Sequence, residues 1–120
     1  PISFIASASS IIHLGAKPVF VDVKEDLNID PDLIEKAITK KTKAIMPVHW
    51  TGRICDMKKI KKIAKKYKLL VIEDAAQAMG SYSNRKHAGT FGNISAFSTH
   101  PLKNLNALGD GGFIVTDNKK

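Results

Sequence analysis

The sequence predicts an α/β protein: a three-layer arrangement in which a mainly parallel sheet is covered by helices. Two observations carry this. Short apolar runs rich in Val and Ile alternate along the chain with segments whose apolar residues recur every three or four positions. Strands of a parallel sheet, covered on both faces, read in this unbroken apolar way. Composition agrees with a folded domain, since 43% of the 120 residues are hydrophobic and 25% are charged, outside the ranges of collagen, coiled coil and disordered chains.

Residues 6–14 have a helical pattern that stops at Gly15, a residue suited to the left-handed backbone in which helices often end. Lys17-Pro18 leads into a short apolar strand, residues 19–23. Asn28-Ile29-Asp30-Pro31 then starts a second helix: Asp30 can cap exposed N–H groups, and Pro31 takes the first helical position, where its missing N–H costs nothing. Leu33, Ile34, Ala37 and Ile38 give that helix its buried face, and residues 44–48 form the next strand. The stretch 57–68 holds seven of the 17 lysines and no acid, with Met57, Ile60, Ile63, Ala64 and Tyr67 at helical spacing. An amphipathic helix results, its apolar stripe on the sheet and its lysines in solvent. Leu69-Leu70-Val71-Ile72 is a third buried run, ending in Glu73 and Asp74. Val71 is expected to be buried and Asp74 to be much less exposed than Glu73. Gly80 to Lys86 is turn-rich and reads as a hairpin, followed by strands at residues 96–98 and 112–116.

Nineteen basic and 11 acidic residues give a net charge of +8. Without the stretch 57–68 it falls to about +1, so the excess belongs to one segment rather than to the whole surface. Arginine is scarce (Arg53 and Arg85) and no aromatics interleave with the lysines, so no nucleic-acid partner is expected. No apolar run approaches the roughly 20 residues that span a bilayer, and no membrane association is expected. A single cysteine, Cys55, excludes an internal disulfide and zinc sites built from cysteine pairs, and fits a reducing, cytoplasmic compartment. The chain begins at Pro1 in mid-pattern and ends just after a strand, as a piece of a larger protein would.

Ligands of open α/β sheets collect beyond the carboxyl ends of strands, which points to Asp22, residues 49–52, residues 74–77 and residues 98–103. Asp74 follows four apolar residues but for Glu73 and precedes two alanines, so its carboxylate is drawn toward a confined place and needs a cationic partner. Lys103 again lies just past a strand. A lysine desolvated there is a Schiff-base candidate. No local spacing supports a metal site from His49, Cys55 and His100, and Gly109-Asp110-Gly111-Gly112 lacks the spacing of a dinucleotide fingerprint.

Ile72-Glu73-Asp74-Ala75-Ala76-Gln77, then Ala96-Phe97-Ser98 with Lys103-Asn104-Leu105, then Gly109-Asp110-Gly111-Gly112 occur in order. Upstream stand Gly15-Ala16-Lys17-Pro18-Val19-Phe20-Val21-Asp22 and Pro47-Val48-His49-Trp50-Thr51-Gly52. Together they resemble the DegT/DnrJ/EryC1/StrS sugar aminotransferases, pyridoxal-phosphate enzymes of the aspartate-aminotransferase fold. The resemblance implies that Lys103 is the catalytic residue, holding pyridoxal 5′-phosphate as a Schiff base and later moving the proton. It implies that Asp74 faces the pyridine nitrogen, Gln77 lies near the ring hydroxyl, Ser98 donates to the phosphate and Phe4 stacks on the ring. His49 would stand on the substrate side. The substrates would be glutamate and a keto-sugar on a nucleotide diphosphate, and the full-length protein would be a homodimer. Residues 1–120 would be the central part of the large cofactor-binding domain, with an N-terminal segment and a C-terminal small domain outside them, and this piece alone would lack transaminase activity.

Met79, Asn84 and Asn93 depart from the family pattern, where histidine, glycine and aspartate are common. Rival readings are a sugar dehydratase of the same family, using the amine form of the cofactor, and a cysteine desulfurase-like enzyme. The first carries histidine at the position of Lys103; the second places histidine directly before the lysine, where Leu102 stands here. A non-catalytic basic binding module is the reading from a different class, favoured only by the lysine cluster.

Overall fold

The computed structural model describes residues 1–119. Helix α1 (Ile5–His13) ends as the sequence predicts, with Gly15 at φ 72°. The N–H groups of Gly15 and Ala16 reach back to the carbonyls of Ile12 and Ile11, the paired closure that a left-handed residue allows. Helix α2 (Pro31–Ala37) begins at Asp30, whose side chain accepts from the N–H of Asp32. Strand β1 (Ala44–Ile45) follows, and a single 3₁₀ turn, Trp50–Gly52, leads toward helix α3 (Met57–Tyr67). After it come β2 (Leu70–Asp74), the hairpin β3 (Tyr82–Ser83) and β4 (Lys86–His87), then β5 (Ile94–Ser98) and β6 (Gly112–Val115).

The sheet runs in the order β1-β2-β5-β6, with β1, β2 and β5 parallel and β6 antiparallel to β5. Its core forms where α3 meets β1 and β2. Met57, Ile60, Ile63 and Ala64 are buried against Ile45, Val71 and, from α2, Ile34. All seven lysines of 57–68 are exposed, as a solvated cover requires. Two tie α3 to α2: Lys59 to Asp32 at 3.0 Å and Lys66 to Glu35 at 2.6 Å. Tyr67 departs from the expected stripe; it is exposed, and its hydroxyl donates to Glu35 at 2.7 Å.

Two other expectations change. Residues 19–23 form no strand, only an isolated bridge from Val23 to Ile29. A ladder needs a neighbour, and none among the described residues runs beside Val19 and Phe20, which are exposed. The carboxylates of β2 are reversed relative to expectation: Val71 is buried as expected, but Glu73 is fully buried while Asp74 is partly open. Successive strand residues point to opposite faces, so Glu73 shares the covered face with Val71, and Asp74 lies on the other with Ile72.

The hairpin turns through Asn84 (φ 50°) and Arg85 (φ 63°), both left-handed as a two-residue type I′ turn demands. Asn accepts that backbone readily; Arg does so at a cost of about 1–2 kcal/mol. Replacing Arg85 by Gly creates the favoured Asn-Gly pair and is expected to stabilise the protein by about 0.5–1 kcal/mol. A rise in melting temperature checks this, and a fall would contradict it.

Candidate active site

Parallel pairing of β2 with β5 sets Asp74 beside Ala96. Asp74, Ala96 and, two residues on, Ser98 therefore share one face at one carboxyl edge. Ser7 of α1 donates to Asp74 Oδ2 at 2.6 Å, and the Ala76 N–H to Oδ1 at 3.2 Å. Each oxygen keeps a free acceptor direction. Ser98 Oγ accepts from the His100 N–H at 3.2 Å, and its own hydroxyl proton is bonded to no protein group among the described residues.

Beyond Ser98 the chain makes a loop closed at its base, the Thr99 N–H donating to Gly111 O and the Ala107 N–H to Thr99 O, both at 2.8 Å. Lys103 sits in a turn of this loop, its N–H on His100 O at 2.8 Å, and is half-buried. Leu102 and Leu108 on either side are almost wholly exposed. Gln77 follows β2 by three residues; its Oε1 accepts from the Thr51 N–H at 2.8 Å. Phe4 is the residue before α1 and is 68% exposed. Asp74, Gln77, Ser98 and Lys103 thus all follow the carboxyl ends of β2 and β5, and α1 reaches the same edge through Ser7. Two clefts of about 400 and 460 Å³ lie elsewhere, one lined by Met57, Lys58, Lys61 and Phe91, the other by Ile38, Thr42 and Leu69.

His49 stands apart from this group. Far from facing an open substrate side, it is fully buried. Its Nδ1 accepts from the Cys55 N–H at 3.3 Å, which leaves Nε2 to donate to Glu73 Oε2 at 2.8 Å. Glu73 also accepts from the N–H groups of Gly89 (2.8 Å) and Phe91 (2.7 Å) and from that of Gly92. Gly89 is obligatory in this arrangement: its φ is 81°, and a Cβ there would lie 2.5 Å from the Phe97 ring. Burial by itself pushes the Glu73 carboxyl upward, but the hydrogen bonds from His49 and the Gly92 and Gly89 amides outweigh it and hold the group below the usual carboxylate range. Burial likewise pushes the Cys55 thiol up to about 12, so it is no ready nucleophile; its Sγ donates to Val48 O at 3.2 Å.

Glu73, Ser7 and Thr51 were not singled out as site residues by sequence. Glu73 was within reach, because strand alternation from the core residue Val71 turns it inward. The strand-end rule points to the segment 49–52 that holds Thr51, but the contacts of Ser7 with Asp74 and of Thr51 with Gln77 span 67 and 26 residues, and no local spacing signals them. No group of three or more His, Cys, Asp or Glu side chains among the described residues is arranged to hold a metal ion.

An α/β sheet with a carboxylate, an amide, a hydroxyl and a lysine following neighbouring strand ends is the setting of a ligand-binding α/β enzyme domain. The chain belongs to the DegT/DnrJ/EryC1/StrS aminotransferase family, whose model matches residues 1–120. It is 53% identical over 116 residues to the pleiotropic regulatory protein of Geobacillus stearothermophilus, covering 96% of this chain and 31% of that one. It is 50% identical over 115 residues to the UDP-N-acetyl-3-dehydro-alpha-D-glucosamine 3-aminotransferase of Acidithiobacillus ferrooxidans, covering 95% and 31%. Among solved structures it resembles NtdA from Bacillus subtilis with bound cofactor PMP, with a TM-score of 0.89, 43% identity, and coverage of 98% of this chain and 26% of that one. The chain spans about a third of the length of the curated relatives it matches.

Because Glu73 ionises more easily folded than unfolded, the stability it contributes is complete above its unfolded value near 4.5 and is lost as the pH falls through its lower folded value. Glu73→Gln is expected to cost about 3 kcal/mol at neutral pH by leaving buried donors unmatched. The gap between the variant and the unsubstituted protein should narrow below about pH 4.5. Denaturant titrations at several pH values measure it; a gap that widens in acid would contradict the assignment.

Proposed function

We propose that this chain is the central part of a pyridoxal-phosphate-dependent aminotransferase that moves an amino group from glutamate to a keto-sugar on a nucleotide diphosphate, working as a cytoplasmic homodimer in its full-length form. The observation that carries the proposal is the matched donor set at one sheet edge, in a chain of an aminotransferase family. The 3-aminotransferase relative acts on a UDP-linked sugar by its name, and NtdA is solved with PMP, the amine form of pyridoxal phosphate.

The residues present fit that cofactor. Asp74 keeps acceptor capacity on a carboxylate anchored by Ser7 and Ala76, which suits a protonated ring nitrogen. Gln77 has its amide nitrogen free to donate to the ring oxygen, and Ser98 has a hydroxyl proton available for a phosphate oxygen. Phe4 offers an exposed ring for stacking. Bound there, the cofactor supplies an electron sink for a carbanion adjacent to the transferred nitrogen.

Each side chain has its own task. Asp74 would hold the ring nitrogen, and its carboxylate would favour a proton there. Lys103 would supply the primary amine that holds the cofactor covalently, and as a free amine it would take and return a proton at its Nζ. The turn that bonds the Lys103 N–H to His100 O fixes where that amine starts. Ser98 and Gln77 restrain the ligand in its plane, which converts diffusion of reacting groups into a fixed approach. Leu102, exposed and next to the lysine in the chain, is suited to exclude water once covered.

In the full-length protein, incubation with pyridoxal 5′-phosphate, glutamate and a UDP- or TDP-linked keto-sugar is expected to yield the amino sugar and 2-oxoglutarate. Lys103→Ala is expected to abolish turnover and remove the visible absorbance of the bound cofactor. Asp74→Asn should lower kcat by about 10²–10⁴-fold while the protein stays folded. Retention of turnover by Lys103→Ala would refute the proposal, and keto-sugar conversion without glutamate consumption would refute the donor.

A further inference from the structure

We propose that Thr51 is a positioning residue for the cofactor, an inference that rests on the aminotransferase reading: its left-handed backbone presents an N–H that holds the Gln77 amide with its nitrogen turned outward as a donor. Thr51 lies at φ 54°, ψ 24°, a region that β-branched residues rarely occupy. Such a conformation persists where the surroundings over-determine it, and it is concentrated at functional sites.

The surroundings here do so. The His49 N–H donates to Asp74 O at 3.0 Å, which ties the loop to the end of β2. The Trp50 N–H donates to Oδ1 of Asn28, itself buried, at 3.1 Å. The Thr51 hydroxyl donates to Trp50 O at 2.7 Å, holding the turn from within. Gly52, at φ 81°, lies so close to the next segment that a Cβ would be 3.1 Å from Gln77 O. Two successive left-handed residues thus bring the loop onto Gln77.

The contact obtained is the Thr51 N–H to Gln77 Oε1 at 2.8 Å. A backbone N–H can only donate, so the amide atom it meets must be the oxygen. Flipping the amide would set donor against donor. The Gln77 nitrogen therefore keeps its two protons on the other side, and it donates to no protein group among the described residues. A site built this way accepts a ligand oxygen with lone pairs at that position, as the ring oxygen of pyridoxal phosphate is, and disfavours a donor there.

The test is a double-mutant cycle in the full-length protein, with pyridoxal 5′-phosphate as the probe. Its readouts are the dissociation constant, the pH titration of the bound cofactor's visible absorbance, and the melting temperature. Thr51→Val keeps the branching but removes the hydroxyl that holds the turn. It is expected to weaken cofactor binding about tenfold and to shift the absorbance titration in the same direction as Gln77→Met. In the Gln77→Met background, Thr51→Val should change affinity by less than about twofold. Thr51→Gly, which adopts the backbone freely and retains the N–H, should bind within about twofold of the unsubstituted protein. Gln77→Glu keeps an oxygen for the Thr51 N–H but loses the donors, and should weaken binding without lowering the melting temperature; it decides the matter if Thr51→Val fails to fold. Full-size effects of Thr51→Val in the Gln77→Met background, or unimpaired cofactor binding by Gln77→Glu, would overturn the inference. Failure of the unsubstituted protein to bind pyridoxal phosphate at all would instead overturn the aminotransferase reading itself.

Discussion

A carboxylate with no access to water, satisfied on both oxygens, is the constraint on which this structure turns. Glu73 accepts from His49 after β1 and from the amides of Gly89, Phe91 and Gly92 before β5. Two segments distant in sequence are tied to one side chain of the central strand β2. A buried charge left unmatched is expensive, on the order of 3–5 kcal/mol when one partner is removed, so the segments are held to the positions that satisfy it. The entry to β5 is fixed by this, and with it the strand end that carries Ser98 and leads to Lys103. Asn93 adds to the same anchorage from the side, its Oδ1 accepting from the Val71 N–H at 2.8 Å.

The pleat of β2 separates this anchoring from the face proposed to hold the cofactor. Glu73 points to the face covered by α3, and Asp74, one residue on, points to the face that α1 approaches through Ser7. The His49 main chain joins the two, since its N–H is bonded to Asp74 O while its ring is bonded to Glu73. The buried Glu73 and the partly open Asp74 thus share a strand and differ only in face, so shifting β2 by one residue would exchange their environments. The loop of Thr51 extends the same support outward to Gln77. What the chain offers to solvent is then a set of side chains whose positions are decided beneath the surface.

Much of the fold was legible because its signals are local. Alternating apolar runs and helical spacing gave the layers, Asp30-Pro31 gave the start of α2, Gly15 the end of α1, and the lysine pattern the outward face of α3. The second strand was legible as a strand but misread at its end, because two adjacent carboxylates look alike until the pleat assigns them faces. Residues 19–23 have the composition of a strand, yet pairing is a property of two segments, and composition reports only one. Asp74, Gln77, Ser98 and Lys103 are expected as site residues through the ordered motifs that resemble a family. The supporting contacts were hidden because their acceptors and donors are backbone groups, which every residue type carries. His49 looked chemical for the reason that makes it structural: an imidazole has one nitrogen to accept and one to donate, and here the Cys55 N–H and Glu73 use both.

Amide hydrogen exchange, resolved by residue, tests most directly whether Glu73 organises this edge. The N–H groups of Gly89, Phe91 and Gly92 lie in a loop outside any ladder, so only their bonds to Glu73 account for protection. They should exchange slowly in the unsubstituted protein, and in Glu73→Met, which removes both acceptor oxygens, all three should lose protection together while the amides of α3 keep theirs. Fast exchange at these positions before substitution, or slow exchange that survives it, would contradict the account.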